Sequence, residues 1–109
     1  MTDVITKDKL KDKLEKEDDI NLVEVLSPED YEKEHIKGAI NMPVRTVGRE
    51  ARKQFDMDEE IIVYCASPSC SASLTAAQKL EDMGFTHVYD FHGGKTVWKE
   101  AGFPMETGT

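Results

Sequence analysis

The chain has 109 residues, of which 39% are hydrophobic and 33% are charged, and its formal net charge is −8. This length fits a single domain with one hydrophobic core, while the negative charge disfavours nucleic acid and anionic membrane surfaces as partners. No apolar run approaches the ~20 residues of a membrane helix, and residues 1–4 lack the pattern of a secretory signal, so a cytoplasmic location is expected.

Helical and strand patterns alternate through the first half of the chain. Leu10 and Leu14 lie one helical turn apart among charged residues, which predicts a helix over 7–19 with Thr6 as its N-cap. The elements predicted next are, in chain order, a strand over 21–26, a helix over 28–33, a short strand within 35–43 and a weaker helix over 44–55.

The segment 61–83 carries the strongest pattern. Residues 61–65 are uncharged and β-prone, as in a strand buried on both faces, and residues 71–83 have the spacing of a helix that ends at Gly84. A strand that turns tightly into a helix leaves backbone N–H groups unpaired at the turn, and these favour an anion. Cys65 lies at this turn, so its thiol is predicted to be shifted toward thiolate and to act as a nucleophile. The alternative is a small buried apolar side chain at the end of a strand, as free cysteines often are.

A strand over 86–90 and a helix that starts at Gly93 and Gly94 and ends near residue 101 complete the pattern. This alternation predicts an α/β fold, with a mostly parallel central sheet of about five strands and helices on both faces. In such sheets the working crevice lies at the carboxyl ends of the strands. The turns 26–27, 65–71 and 90–94 are therefore expected to converge.

Several segments together resemble a single-domain rhodanese, a sulfurtransferase. They are, in chain order, Leu22-Val23-Glu24-Val25, Tyr31, His35-Ile36-Lys37-Gly38-Ala39-Ile40-Asn41, Ile62-Val63-Tyr64-Cys65, Gly93-Gly94 and Trp98. The resemblance covers about residues 5–104, so residues 1–109 are expected to form one rhodanese-like domain. It implies that Cys65 takes a sulfane sulfur and holds it as a persulfide within the loop 65–70, whose N–H groups surround it. No cofactor and no metal are expected.

The chain departs from that family at two places. Members usually carry an aspartate and an arginine where this chain has Glu24 and Leu26, and their loop commonly contains basic residues and a glycine. Here the loop has neither, and Pro68 removes one N–H donor. The sequence therefore predicts a persulfide on a small thiol, or a sulfur-relay protein, as donor or acceptor, with weak activity toward thiosulfate.

Cys70 has three interpretations. It attacks the Cys65 persulfide as a resolving cysteine, or it forms a regulatory disulfide with Cys65, or it is an inert loop residue. A disulfide requires the two Cα atoms to lie within about 7 Å, which a curled loop of this length allows. The pair has no nearby cysteine or histidine to complete a tetrahedral metal site.

Other candidate site residues surround the two cysteines in the predicted fold. The substrate-binding loop comprises Ala66, Ser67, Pro68, Ser69 and Ser71, and Ser71 or its neighbour is expected to cap the following helix. The candidate rim residues are His92, Arg45 and Arg49, for which a plain surface position is the alternative. His35 is interpreted as structural, His87 as exposed and Trp98 as part of the core.

Two other functions compete with sulfur transfer. The first is a sulfur carrier or redox sensor without turnover, which uses a reversible switch between Cys65 and Cys70. The second is a phosphatase or arsenate reductase of related fold. That reaction needs an arginine at the end of the cysteine loop to bind the oxyanion, and this chain has Ser71 there.

Overall fold

The structure is a computed structural model that describes residues 2–16 and 19–108. Its strands are β1 (Asp3–Val4), β2 (Ile20–Glu24), β3 (His35–Ile36), β4 (Ile40–Asn41), β5 (Glu60–Tyr64), β6 (His87–Phe91) and β7 (Met105–Glu106). Its helices are α1 (Lys7–Glu15), α2 (Pro28–Lys33), α3 (Val47–Gln54), α4 (Ala72–Asp82) and α5 (Gly94–Glu100).

A five-stranded sheet with the order β1-β6-β5-β2-β4 forms the centre of the molecule, and all of its neighbouring strands are parallel. This confirms the predicted α/β class and the number of strands in the sheet. A separate antiparallel pair, β3 with β7, and the edge strand β1 were not predicted. Strands of two residues are too short to show a period in the sequence.

The central strand β5 is covered on both faces. Ile61 and Val63 pack in a core cluster with residues of α3 and α4, whereas Ile62 and Tyr64 pack in a second cluster with residues of α1 and α5. Residues 61–64 are therefore fully buried, which explains their continuous apolar character. Trp98 belongs to the second cluster, as predicted.

The helices agree with prediction in position and differ at their ends. Lys9 donates its backbone N–H to the hydroxyl of Thr6, which confirms the predicted cap of α1. That helix ends at Glu15 rather than at residue 19, and residues 17 and 18 of the predicted helix lie outside the described part of the chain. The helix predicted over 44–55 begins only at Val47 and ends at Gln54, since residues 44–46 form a turn in which Thr46 donates its N–H to the carbonyl of Pro43.

Ser71 is a correction to the predicted cap of α4. It occupies the N-cap position, but its side chain makes no capping hydrogen bond, and its backbone is helical rather than extended. An extended backbone is the usual conformation of a capping serine. The first amides of α4 therefore stay available to other acceptors. Within the described residues, no helix combines the length and the apolar character required to cross a membrane.

Candidate active site

Cys65 lies immediately after β5, at the carboxyl edge of the sheet. Its side chain is fully buried and belongs to the same core cluster as Val63. The loop 66–71 leads from it into α4 and turns back on itself, because Cys70 donates its N–H to the carbonyl of Ser67 at 3.0 Å. The two cysteines are thereby held at the tip of the central strand, where the sequence predicts the crevice.

The start of α5 holds this loop from the other side. Lys95 donates its N–H to the carbonyl of Cys65, and Thr96 donates its N–H to the carbonyl of Ala66, each at 2.9 Å. Gly94 has a φ of +70°, and a Cβ there would lie 2.7 Å from the Cys65 carbonyl oxygen. Only glycine permits this approach. The turn after β6 and the cysteine loop therefore meet as predicted.

The surroundings of Cys65 contradict the predicted shift toward thiolate. Its thiol donates to the carbonyl oxygen of Cys70 at 3.3 Å and to the hydroxyl of Ser73 at 3.5 Å. Burial raises the pKa of the Cys65 thiol, and the neighbouring Cys70 raises it further, although hydrogen bonds with Ser73 oppose the shift. Cys65 is therefore held as a neutral thiol.

Cys70 is the more acidic thiol of the pair. Burial disfavours its ionisation, but hydrogen bonds from the Cys65 thiol and from the N–H groups of Ala72 and Ala66 outweigh it and lower the pKa of Cys70. The loop amides are thus divided between two sulfurs rather than gathered around Cys65 alone. Both cysteines are free thiols in this structure.

The remaining residues of the predicted substrate-binding loop lie at the protein surface. Ala66, Pro68, Ser69 and Ser71 are exposed and Ser67 is half-buried. The hydroxyls of Ser67 and Ser69 lie 3.0 Å apart and hydrogen-bond to each other. These residues are placed at the mouth of the loop, and their role in binding a substrate stays a prediction.

The three rim candidates occupy different surroundings. His92 is 55% exposed, and its Nδ1 lies 3.9 Å from Oδ2 of Asp90. Arg45 and Arg49 are exposed, and within residues 2–16 and 19–108 no hydrogen bond or ion pair joins either arginine to the cysteine loop. Of the three, His92 alone follows a strand whose carboxyl end meets the loop.

Asp90 is a buried acidic residue beside the cysteine loop that was not among the predicted site residues. This residue of β6 is only 1% exposed and is paired in register with Val63 of β5. Its Oδ1 has no hydrogen-bond partner among the described residues, and its charge tends to raise the pKa of Cys70. Its acidic side chain stands at the end of the predicted strand over 86–90, between Tyr89 and Phe91, and an acid between two aromatic residues was the signal available in the sequence.

A second buried carboxylate, Glu24, lies on the opposite face of the sheet. Its Oε1 accepts a hydrogen bond from the Tyr64 hydroxyl at 2.8 Å and pairs with Nζ of Lys95 at 3.1 Å. Burial raises the pKa of Glu24, and the bonds to Tyr64 and Lys95 oppose that shift. The pair ties the start of α5 to β2, so Lys95 supports the loop through both its backbone and its side chain.

No metal site accompanies the cysteines in the described part of the chain, since no group of three or more histidine, cysteine, aspartate or glutamate residues converges there. His35 is buried, and its Nδ1 lies 2.7 Å from the carbonyl oxygen of Tyr31. Its ring also stacks on that of Tyr31. This position agrees with its predicted structural role, and His87 is exposed as expected.

Comparison with known proteins identifies relatives along nearly the whole chain. The profile of the Rhodanese-like domain family matches residues 6–101. The thiosulfate sulfurtransferase GlpE of Coxiella burnetii is 34% identical over 86 residues, which cover 79% of this chain and 78% of that protein. The thiosulfate sulfurtransferase PspE of Escherichia coli K12 is 37% identical over 76 residues, which cover 69% of this chain and 71% of the relative.

Solved structures agree with this match. A rhodanese-like domain from Anabaena sp. has a TM-score of 0.89 and 29% identity, covering 98% of this chain and 80% of that one. A protein from Bacillus halodurans has a TM-score of 0.90 and 27% identity, covering 97% of this chain and 77% of that one. The arrangement of the sheet and helices is therefore shared with these proteins.

Proposed function

The chain belongs to the Rhodanese-like domain family and is a rhodanese-like sulfurtransferase, and we propose that it moves sulfane sulfur through a persulfide on Cys65. One observation carries this proposal. The Cys65 thiol, at the carboxyl end of the central strand, is hydrogen-bonded to the carbonyl oxygen of Cys70 at 3.3 Å, which places it beside the Cys70 thiol, whose pKa is lowered. A thiol beside a more acidic thiol has a base at hand that accepts its proton.

The reaction consists of two displacements. In the first, the Cys65 sulfur attacks the outer sulfur of a donor persulfide while its proton passes to the Cys70 thiolate. The sulfur–sulfur bond of the donor breaks, a new one forms on Cys65, and the donor leaves as a thiolate. In the second, an acceptor thiolate attacks the outer sulfur of the Cys65 persulfide, and Cys65 is released as a thiolate that recovers the proton from Cys70.

The donor is proposed to be a persulfide on a small thiol or on a sulfur-relay protein. The loop residues 66–70 include no lysine or arginine, and Pro68 contributes no N–H. The exposed Arg45 and Arg49 make no hydrogen bond or ion pair with the loop among the described residues. A dianion such as thiosulfate therefore meets little positive charge there. The relatives GlpE and PspE are named for thiosulfate, which makes thiosulfate the competing donor.

The location and partners belong to the same proposal. A thiol acceptor and the free thiols of Cys65 and Cys70 require surroundings that keep thiols reduced, so the cytoplasm is the proposed compartment. The net charge of −8 supports small molecules or a sulfur-relay protein as partners rather than nucleic acid or anionic membranes. The alternative of a redox switch between Cys65 and Cys70 predicts that mild oxidant removes two thiols without forming a dimer.

The proposal is tested by intact-protein mass spectrometry after incubation with cysteine persulfide. The wild-type mass should rise by one sulfur atom, and Cys65→Ser should abolish the gain because the attacking sulfur is gone. Cys70→Ser is the matched control, since it removes the other thiol and should still gain the atom, more slowly. Uptake by Cys65→Ser, or no uptake by the wild type from either persulfide or thiosulfate, contradicts the proposal.

A further inference from the structure

We propose that the buried carboxylate of Asp90 is a specificity-determining group, which makes the cysteine pair disfavour dianionic sulfur donors such as thiosulfate relative to persulfides of lower charge. The inference rests on the proposed function, because it assumes that sulfur is taken up at this pair. It assigns to Asp90 a role in the choice of donor rather than in the displacement itself.

The position of Asp90 beside the site follows from the sheet register. β6 runs parallel to β5, and Asp90 is paired with Val63, two residues before Cys65. Residues two apart on a strand face the same side of the sheet, so Val63 and Cys65 share a face, as their common core cluster shows. The field of the Asp90 carboxylate reaches the Cys70 thiol, where it opposes formation of a thiolate.

The charge of Asp90 is poorly compensated, and Glu24 provides the comparison. Glu24 is equally buried, but Lys95 lies 3.1 Å from its Oε1 and Tyr64 donates to it. The only ion-pair partner of Asp90 among residues 2–16 and 19–108 is His92, whose Nδ1 is 3.9 Å away and whose ring is half exposed. Each of the two carboxylates has one oxygen without a hydrogen-bond partner within those residues, so the contrast lies in the lysine and the tyrosine hydroxyl that Glu24 has and Asp90 lacks. A negative field therefore persists on the side of the sheet that holds the cysteines.

This field distinguishes donors by their charge. A buried charge is screened by salt much less than an exposed one, and its repulsion grows in proportion to the charge of the incoming donor. Thiosulfate carries two negative charges on one small ion, whereas the reacting end of a persulfide carries at most one. The loop has no cation that would offset the charge of Asp90. The electrostatic repulsion on approach is therefore larger for the thiosulfate dianion than for the persulfide.

The test compares sulfur uptake from two donors in single-turnover experiments on the full chain. For Asp90→Asn, the ratio of the rate constant with thiosulfate to that with cysteine persulfide should rise about tenfold over wild type. The ratio cancels any change in the nucleophile that affects both donors. Asp58→Asn is the matched control, because it removes the same charge from an exposed turn before β5 and should leave the ratio unchanged.

Further variants separate charge from packing. Asp90→Glu keeps the charge and should keep the wild-type ratio, and Asp90→Ser is a second neutral variant that should raise it. A folded neutral variant with an unchanged ratio overturns the inference, as does failure of both neutral variants to fold, which would make Asp90 a structural residue. If the wild type shows no Cys65-dependent sulfur uptake from either donor, the proposed function itself is contradicted. This result differs from an unchanged donor ratio, so failure of the inference and failure of the proposed function can be told apart.

Discussion

At the scale of single residues, the two cysteines have different ionisation properties although they lie in one short loop. Cys65 is fully buried, and its thiol proton is shared with the Cys70 carbonyl and the Ser73 hydroxyl. Cys70 is partly exposed, and its sulfur accepts hydrogen bonds from the backbone N–H groups of Ala72, at the start of α4, and of Ala66. The first proton to leave the pair therefore leaves Cys70, and a pH titration follows the pair rather than either thiol alone.

Replacing Cys70 should move the pH dependence of sulfur uptake. In the wild type, uptake should rise with the first ionisation of the pair, because the Cys70 thiolate that this ionisation produces accepts the Cys65 proton. In Cys70→Ser, Cys65 itself must ionise, and burial raises its pKa, so the midpoint should move to higher pH. Uptake near neutral pH should fall by roughly a hundredfold, the size of a lost general base. Stopped-flow uptake measured across pH checks this.

A neighbouring variant controls for disturbance of the loop. Ser69→Ala removes a hydroxyl that bonds to Ser67 rather than to either sulfur, and its midpoint should match the wild type. An unshifted midpoint in Cys70→Ser would show that Cys70 does not accept the proton.

At the scale of elements, the start of α5 decides the shape of the cysteine loop. Its first amides bond to the carbonyls of Cys65 and Ala66, and its lysine side chain reaches across to Glu24 on β2. The contact between Gly94 and the loop is between main-chain atoms, which cannot rotate away as a side chain can. The loop, β2 and α5 are therefore mechanically linked.

Gly94→Ala should disrupt the site and the fold together. Its Cβ would lie 2.7 Å from the Cys65 carbonyl oxygen and 2.8 Å from the Ser67 nitrogen at a φ of +70°. We expect a loss of more than about 2 kcal/mol in the free energy of unfolding and a strong fall in sulfur uptake. Urea unfolding and mass spectrometry measure the two effects.

Gly102→Ala is the control that distinguishes the cost of a positive φ from the cost of a steric clash with the cysteine loop. Gly102 also has a positive φ, of +80°, but a Cβ there meets nothing within 4 Å. It should cost about 1 kcal/mol for the backbone conformation alone and leave uptake unchanged. Equal losses of uptake in both variants would show that contact with the loop is not the cause.

At the scale of the whole molecule, the net charge of −8 acts on every anionic donor before it reaches the loop. Exposed charges are screened within about 10 Å at 0.1 M salt, so this long-range repulsion depends on ionic strength. The repulsion by buried Asp90 depends on it much less. The two contributions are therefore separable by the same uptake measurement at different salt concentrations.

Uptake from thiosulfate should accelerate severalfold when the ionic strength is raised from about 0.01 M to about 0.15 M, because salt weakens the repulsion by the surface. The advantage of Asp90→Asn over wild type should persist at the higher salt. Single-turnover rates in a chloride series check both statements. A rate that falls as salt is added would indicate that a local cation attracts the donor, against the proposed loop electrostatics.

The order of elements, the buried central strand and the cap at Thr6 were predictable because each depends on residues close together in the chain. So was the placement of Cys65 at the strand end, since hydrophobic period, proline and glycine signals are local. The two-residue strands β1, β3 and β7 were not, because they exist only through pairing with distant segments. The missing serine cap has a related cause: the backbone of Ser71 is helical where a cap needs an extended one.

By itself, the sequence determined the fold class, the family resemblance and the location of a cysteine pair at the tip of the central strand. Only the tertiary structure decided which thiol is the more acidic, which carboxylate is paired with a lysine, and which one lies on the cysteine face of the sheet with only a half-exposed histidine near it. The physical reason is that a pKa depends on burial and on neighbouring charges. For Cys65, Glu24 and Asp90, those neighbours come from strands and helices that are remote in sequence and meet only after folding.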